Sequence, residues 1–304
     1  MFNEGSLGGI LDRIDPDRPV LITGPTASGK SALAMAIAAR NGGPVINADA
    51  MQVFADWRIL TARPSVAAEE RVPHAIYGHV PGHVEYSVGR WLRDLAPFLG
   101  GPVPVIVGGT GLYFTALTEG LAPIPEIPEE VRRIAMNRVA SEGIDALLGE
   151  LDSGTRARID VKNPMRVQRA WEVLTATGRG LAAWQAETAP PLLPLSSAAA
   201  ILVDVPRDWL NQRIESRFAQ MLSNGLLDEV RANAPAWHPA RPSAKAIGAA
   251  ELISHVRGEM SLEDARMAAI VATRQFAKRQ RSWFRGRMSR WQTMRLPSGT
   301  GASA

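Results

Sequence analysis

Cysteine is absent from the 304 residues, so disulfides and thiolate metal sites are excluded and a reducing compartment fits. No apolar run approaches membrane-spanning length. The opening MFNEGSLGGILDRIDPDRP lacks the basic-then-apolar order of a secretory leader. A cytoplasmic protein with no membrane partner is expected. Acidic residues are missing from the C-terminal stretch. The last is Asp264, and nine Arg or Lys follow it, leaving the preceding chain at −5 within an overall charge of +4. Such segregation points to a polyanionic partner, nucleic acid first among them, against the alternative of a solvated basic helix. A sustained heptad seam is also lacking, and a monomer is expected.

What is present reads as α/β. Short apolar runs at 19–23, 44–47, 102–107 and 200–205 have the look of buried parallel strands. Ser31–Arg40 is an alanine-rich helix, and further helices are expected at 207–223, 225–234, 243–257 and 261–285. Two proline-rich stretches, Leu121–Pro128 and Ala189–Pro194, bracket a helical segment that includes NPMRVQRAWEVLTATG, ended by Gly178. The expected organisation is therefore a P-loop NTPase-like core with helices on both faces of a parallel sheet. Residues 1–120 form its first part, 121–190 a helical insertion domain, and 191–304 the completion of the core with basic C-terminal helices. The final Gly299–Ala304 is expected to fray.

Residues 24–31 read Gly24-Pro25-Thr26-Ala27-Ser28-Gly29-Lys30-Ser31, between an expected strand and an expected helix. Glycines let several backbone N–H groups converge on one anion, and the helix adds its positive end. Lys30 supplies a point charge, and the Ser31 hydroxyl can hold Mg²⁺. A diphosphate or triphosphate ligand follows, though not ATP in particular. The third strand ends in Gly108-Gly109-Thr110-Gly111 with no acid, whereas Asp49 lies just past the second strand and Asp204 closes the fourth.

With this loop in place, GPTASGKSALA, INADAMQVF, LTARP, VGGTGLYF, NPMRVQRAWEV, QRIESRFAQMLSNGLLDEV and ATRQFAKRQRSWFR, spread over residues 24–285, together resemble the tRNA dimethylallyltransferase (isopentenyltransferase) family. The resemblance implies transfer of a dimethylallyl group from dimethylallyl diphosphate to N6 of adenine-37 in the anticodon stem-loop of tRNA. It implies that Asp49 is the general base, and that Thr110 and Arg217 hold the diphosphate. On position alone Asp49 also suits a Mg²⁺ ligand or helix cap. Asp49, Ala50, Met51 and Gln52 form a tRNA-binding stretch, in which Asp49, Met51 and Gln52 would read the neighbours of the target base. Met165, Arg166, Val167, Gln168 and Arg169 match a stretch that touches tRNA, and Lys245, Gly248 and Glu251 are weaker candidates. Arg274, Lys278, Arg281 and Arg285 follow one another at steps of four, three and four, one helix face suited to RNA phosphates. Phe276 and Trp283 lie off that face and read as core anchors. The adenine is expected to flip into a channel between core and insertion.

Ala50 and Phe54 stand where the family commonly has Ser and Tyr, Leu60 where glycine is common, and Gly248-Ala249-Ala250 where a Gly-Tyr-basic stretch is usual. These departures bear on RNA selectivity more than on chemistry. Three rivals remain: a small-molecule kinase, a prenyltransferase acting on free adenine nucleotides, and a non-catalytic RNA-binding P-loop protein. His79 and His83 are separated by Pro81-Gly82 and lack a third ligand, so no metal site is expected there.

Overall fold

A strand buried on both sides must offer apolar side chains to two separate cores. A computed structural model, which describes residues 14–295, shows both. In chain order come β1 (Val20–Thr23), α1 (Lys30–Asn41), β2 (Val45–Asn47), α2 (Val66–Arg71), β3 (His74–Ala75), α3 (Val88–Leu95), β4 (Val105–Gly108) and α4 (Gly111–Glu119). Next are α5 (Glu129–Glu142), α6 (Ile144–Gly149), α7 (Ser153–Arg158), α8 (Pro164–Thr177) and α9 (Leu181–Ala186). β5 (Ala199–Asp204), α10 (Arg207–Ser223), α11 (Leu226–Asn233), α12 (Ala249–Val256), α13 (Leu262–Arg287) and β6 (Gln292–Arg295) complete it.

The six strands form one parallel sheet in the order β3-β2-β4-β1-β5-β6. Val20, Ile22, Val105, Val107, Ile201 and Val203 enter one core with Leu33 and Ile37 of α1 and Ile214 and Phe218 of α10. Leu21, Ile46 and Ile106 enter the other, with Trp91 of α3 and Phe114 and Leu117 of α4. Alternation along each strand thus fixes which helices cover which face. After β1 the chain runs toward β2, and after β4 it runs to β5 on the other side. The crevice between the C-terminal ends of β1 and β4 is therefore the topological switch point, where such sheets bind ligands.

The chain divides into two units. One holds the sheet, through Thr118 and again from Leu192; the other is Glu119–Pro191. The second unit is helical, built on Ala135, Leu147, Leu151, Val167, Ala170 and Trp171. In it α8 starts with an Asn163 cap and Pro164 in the first turn, and stops at Gly178 in the left-handed conformation.

Three features differ from expectation. The helix expected over 243–257 is two elements, a 3-10 turn at Pro242–Lys245 and then α12, because Gly248 takes φ +90° between them. β3 and β6 are additional edge strands. α2 and α3 fill a stretch that drew no assignment, although Ser87 caps α3 ahead of Trp91 and Leu95, four residues apart. Gly299–Ala304 lies outside the described residues. Among the described residues no helix is long and apolar enough to cross a membrane.

Candidate active site

The turn after β1 curls because Ala27 (φ +63°) and Gly29 (φ +88°) are both left-handed, while the Ser28 N–H closes on the Pro25 carbonyl at 3.2 Å. α1 begins at Lys30 with no side-chain cap, so its first amides remain available to an anion. Gly24 packs so closely that a Cβ there would sit 2.8 Å from the Val203 carbonyl oxygen of β5. Ser28 is fully buried, and its hydroxyl has no partner among the described residues. Lys30 folds back, donating from Nζ to the Pro25 carbonyl at 3.2 Å. Burial pulls its ammonium from 10.5 down to about 8; the attraction of Asp49 opposes the fall and the repulsion of Arg217 adds to it. The Ser31 hydroxyl belongs to an exposed residue in the same first turn.

Asp49 is fixed by its own backbone. Its N–H donates to Asn47 Oδ1 at 2.8 Å, and Asn47 Nδ2 donates to the carbonyls of Asp49 (3.0 Å) and Ile76 (3.1 Å). Oδ1 accepts the Met51 N–H at 2.9 Å. Oδ2 faces the turn after β4, 3.4 Å from where a Gly109 Cβ would stand. Thr110 is tied to the same segment: its N–H donates to the Ala48 carbonyl at 3.2 Å, and its Oγ1 accepts the Ala50 N–H at 2.9 Å. With an acceptor site used, the Thr110 O–H is left to donate. Arg217 reaches in from α10 and donates from Nη1 to Thr26 Oγ1 at 3.2 Å. Burial lowers its pKa, with Asp49 opposing and Arg213 adding. Glu215, two residues before Arg217 on α10, pairs with Arg274.

Thr26, Asp49, Thr110 and Arg217 line one cavity of about 620 Å³ together with the apolar Leu60, Ile214, Phe218 and Met221. A few polar groups thus share a mostly apolar chamber, as in a site for an amphiphilic ligand. Phe276 and Trp283 also line it, and Trp283 at the same time packs against the core that holds Phe114 and Phe284, as its reading as an anchor expected. Sequence reasoning passed over Gln280. It accepts the Thr26 N–H and donates to the Gly109 carbonyl, each at 2.9 Å, and its signal was a glutamine on the apolar stripe of α13.

The residues proposed for RNA contact fall into three groups. Ala50, Met51 and Lys245 line the cavity. Lys278, Arg285, Met165 and Arg166 are exposed. The rest are engaged elsewhere. Gln52 Nε2 donates to the carbonyls of Thr61 (2.8 Å) and Ala62 (3.2 Å). Gln168 donates to Glu172 at 2.9 Å, and Arg169 lies 3.5 Å from the same carboxylate. Arg274 pairs with Glu215, and Arg281 lies 3.7 Å from Asp204. Gly248 serves as the left-handed start of α12, and Ala249 beside it is fully buried. Val167 is a correction. It is fully buried in the core of the helical unit, because it sits on the inward stripe with Ala170 and Trp171, and its side chain cannot touch RNA. No group of three His, Asp or Glu able to hold a metal occurs among the described residues.

Similar proteins share this arrangement of chain. The IPP transferase family matches residues 52–287, and an isopentenyl transferase family matches residues 18–74. A tRNA dimethylallyltransferase of Cereibacter sphaeroides is 60% identical over 288 residues, covering 94% of this chain and 92% of that protein. The tRNA dimethylallyltransferase of Dinoroseobacter shibae is 59% identical over 285 residues, covering 92% and 96%. Among solved structures, the tRNA isopentenylpyrophosphate transferase of Bacillus halodurans superimposes with a TM-score of 0.64 at 30% identity, covering 92% of this chain and 90% of that one.

Proposed function

Because this chain belongs to the IPP transferase family, whose close members are tRNA dimethylallyltransferases, we propose that it transfers the dimethylallyl group of dimethylallyl diphosphate to N6 of adenine-37 in tRNA and releases diphosphate. The observation that carries the finer reading is the cavity in which Asp49 faces the diphosphate loop across the β1–β4 crevice.

The N6 amine attacks the allylic carbon, the C–O bond to diphosphate breaks, and its electron pair leaves with the diphosphate. Asp49 takes the amine proton through Oδ2, its oxygen not committed to Met51. The growing charge on the leaving group meets the loop amides, Lys30, the Thr110 hydroxyl and Arg217, groups already in place before reaction. The apolar wall shields the allylic carbon from water. The exposed Ser31 hydroxyl beside the loop is an oxygen donor of the kind Mg²⁺ takes, with phosphate oxygens and waters to complete its shell. When bound with diphosphate, Mg²⁺ would neutralise part of its charge. Target adenine would be unstacked from its loop to reach the cavity. Lys278 and Arg285 on α13, and Met165 and Arg166 on α8, are the RNA-facing candidates. The reading includes a cytoplasmic monomer, since the tRNA is there and no sustained heptad seam marks an assembly face.

The test incubates the protein with unmodified tRNA, labelled dimethylallyl diphosphate and Mg²⁺, with AMP and ATP competing. Label on tRNA with one diphosphate released per product supports the reading. Label on AMP alone assigns the free-nucleotide prenyltransferase, ADP formation the kinase, and tRNA binding without transfer the non-catalytic protein.

A further inference from the structure

α13 presents an apolar stripe to the core: Ala265, Ala269, Ile270, Ala277 and Phe284 are all buried. Gln280 interrupts it, 5% exposed, with a long polar side chain. An amide at such a place is costly unless both ends are bonded, and both are. Oε1 accepts the Thr26 N–H at 2.9 Å; Nε2 donates to the Gly109 carbonyl at 2.9 Å. The partners fix the orientation, since a flipped amide would set donor against donor and carbonyl against carbonyl. Gly109 makes the approach feasible: a Cβ there would lie 2.3 Å from Nε2.

The two bonded loops belong to opposite banks of the crevice. On one bank, Thr26 Oγ1 accepts from Arg217, which meets the leaving group. On the other, Gly109 precedes Thr110, whose Oγ1 holds the Ala50 N–H next to Asp49. The strands themselves pair only as far as Thr23 and Gly108. Beyond that register, Gln280 spans the gap.

We propose that Gln280 is a positioning residue that sets the distance between the diphosphate-gripping bank and the amine-facing bank. The inference rests on the transfer reaction proposed above. It acts through its neighbours: Thr26 and Gly109 hold their places because one side chain measures the gap between them. Loss of that strut leaves each half-site intact but lets the reacting partners drift apart, and a misplacement of about 1 Å costs on the order of 10²-fold in rate.

Gln280→Met keeps length and bulk while removing both donor and acceptor. Gly109→Ala keeps Gln280 and crowds its Nε2. Steady-state transfer, binding of an unreactive dimethylallyl diphosphate analogue, and thermal melting are measured for both variants, for the double variant and for the unaltered protein. The expected result for Gln280→Met is kcat lower by about 10–100-fold, with KM for tRNA and for the diphosphate within about 3-fold, analogue affinity retained and Tm within a few degrees. Gly109→Ala should match it, and the double variant should be no worse than either, because one strut can be lost once. A Gln280→Met protein with kcat within about 2-fold of the parent overturns the inference, as does a loss residing in KM or losses that multiply in the double variant. Should Gln280→Met fail to fold, a folded Gly109→Ala with unaltered kcat overturns it equally. If the unaltered protein transfers no dimethylallyl group, the proposed function falls instead.

Discussion

Lys30 lies beside one opposite charge, Asp49, and one like charge, Arg217, and burial outweighs both in setting its proton affinity near pH 8. A bound diphosphate favours the charged lysine, so the complex holds more protons than the free protein above pH 8. Affinity for an unreactive dimethylallyl diphosphate analogue should accordingly be flat, as far as Lys30 is concerned, below pH 8 and fall as pH rises beyond it. Calorimetry from pH 7 to 10 reads this directly. Lys30→Met should bind more weakly and lose the fall; a parent affinity that holds to pH 10 contradicts the assignment. Asp49→Asn removes the proton acceptor and one negative neighbour of Lys30 and Arg217. Transfer should drop by about 10²–10⁴-fold, with analogue binding unchanged or tighter. Near-normal turnover would remove Asp49 as the base. At this scale Lys30 was legible from the chemistry of its loop, and Asp49, Thr110 and Arg217 only through the family resemblance. Gln280 and Val167 were not: a motif string does not show which side of a helix faces inward, and only packing separates a strut or a core valine from an RNA contact.

At the scale of elements, α13 carries two kinds of arginine and lysine. Arg274 and Arg281 are committed to Glu215 and Asp204, whereas Lys278 and Arg285 are exposed. Helical spacing alone put all four on one face, and the acids that engage two of them come from distant α10 and β5. Replacing Lys278 and Arg285 by Ala should weaken tRNA binding and reduce the salt slope by about 0.7–0.9 per residue, read by binding titrations over a salt series. An unchanged slope would exclude this face as the RNA contact. The segment joining β2 to α2 depends on another helix. Glu229 of α11 accepts the N–H groups of Arg58 (2.6 Å), Ile59 (2.8 Å) and Leu60 (2.9 Å). Leu60 lines the cavity, so this carboxylate shapes the chamber wall. Glu229→Gln turns one acceptor oxygen into a donor and should destabilise the fold by about 1–3 kcal/mol in urea melts. A change within about 0.5 kcal/mol would show the three bonds to be dispensable. β6 escaped sequence reading for a physical reason: its residues are mostly exposed at the sheet edge and carry no apolar signature.

For the molecule as a whole, the four apolar runs read as strands are the four that cross the sheet's interior or flank it, because burial on both faces demands continuous apolar sequence. Their order in the sheet was not legible, since it arises from which crossovers pack, and that order creates the crevice where the two banks meet. The central claim is geometric: one nest holds the departing diphosphate while a carboxylate across the crevice faces the incoming amine. A crystal structure of the protein with an anticodon stem-loop and an unreactive dimethylallyl diphosphate analogue tests it most directly. The account predicts the diphosphate in the Gly24–Ser31 loop and Asp49 Oδ2 about 3 Å from adenine N6. An adenine whose N6 lies beyond reach of that carboxylate, or a diphosphate seated away from the loop, would contradict it.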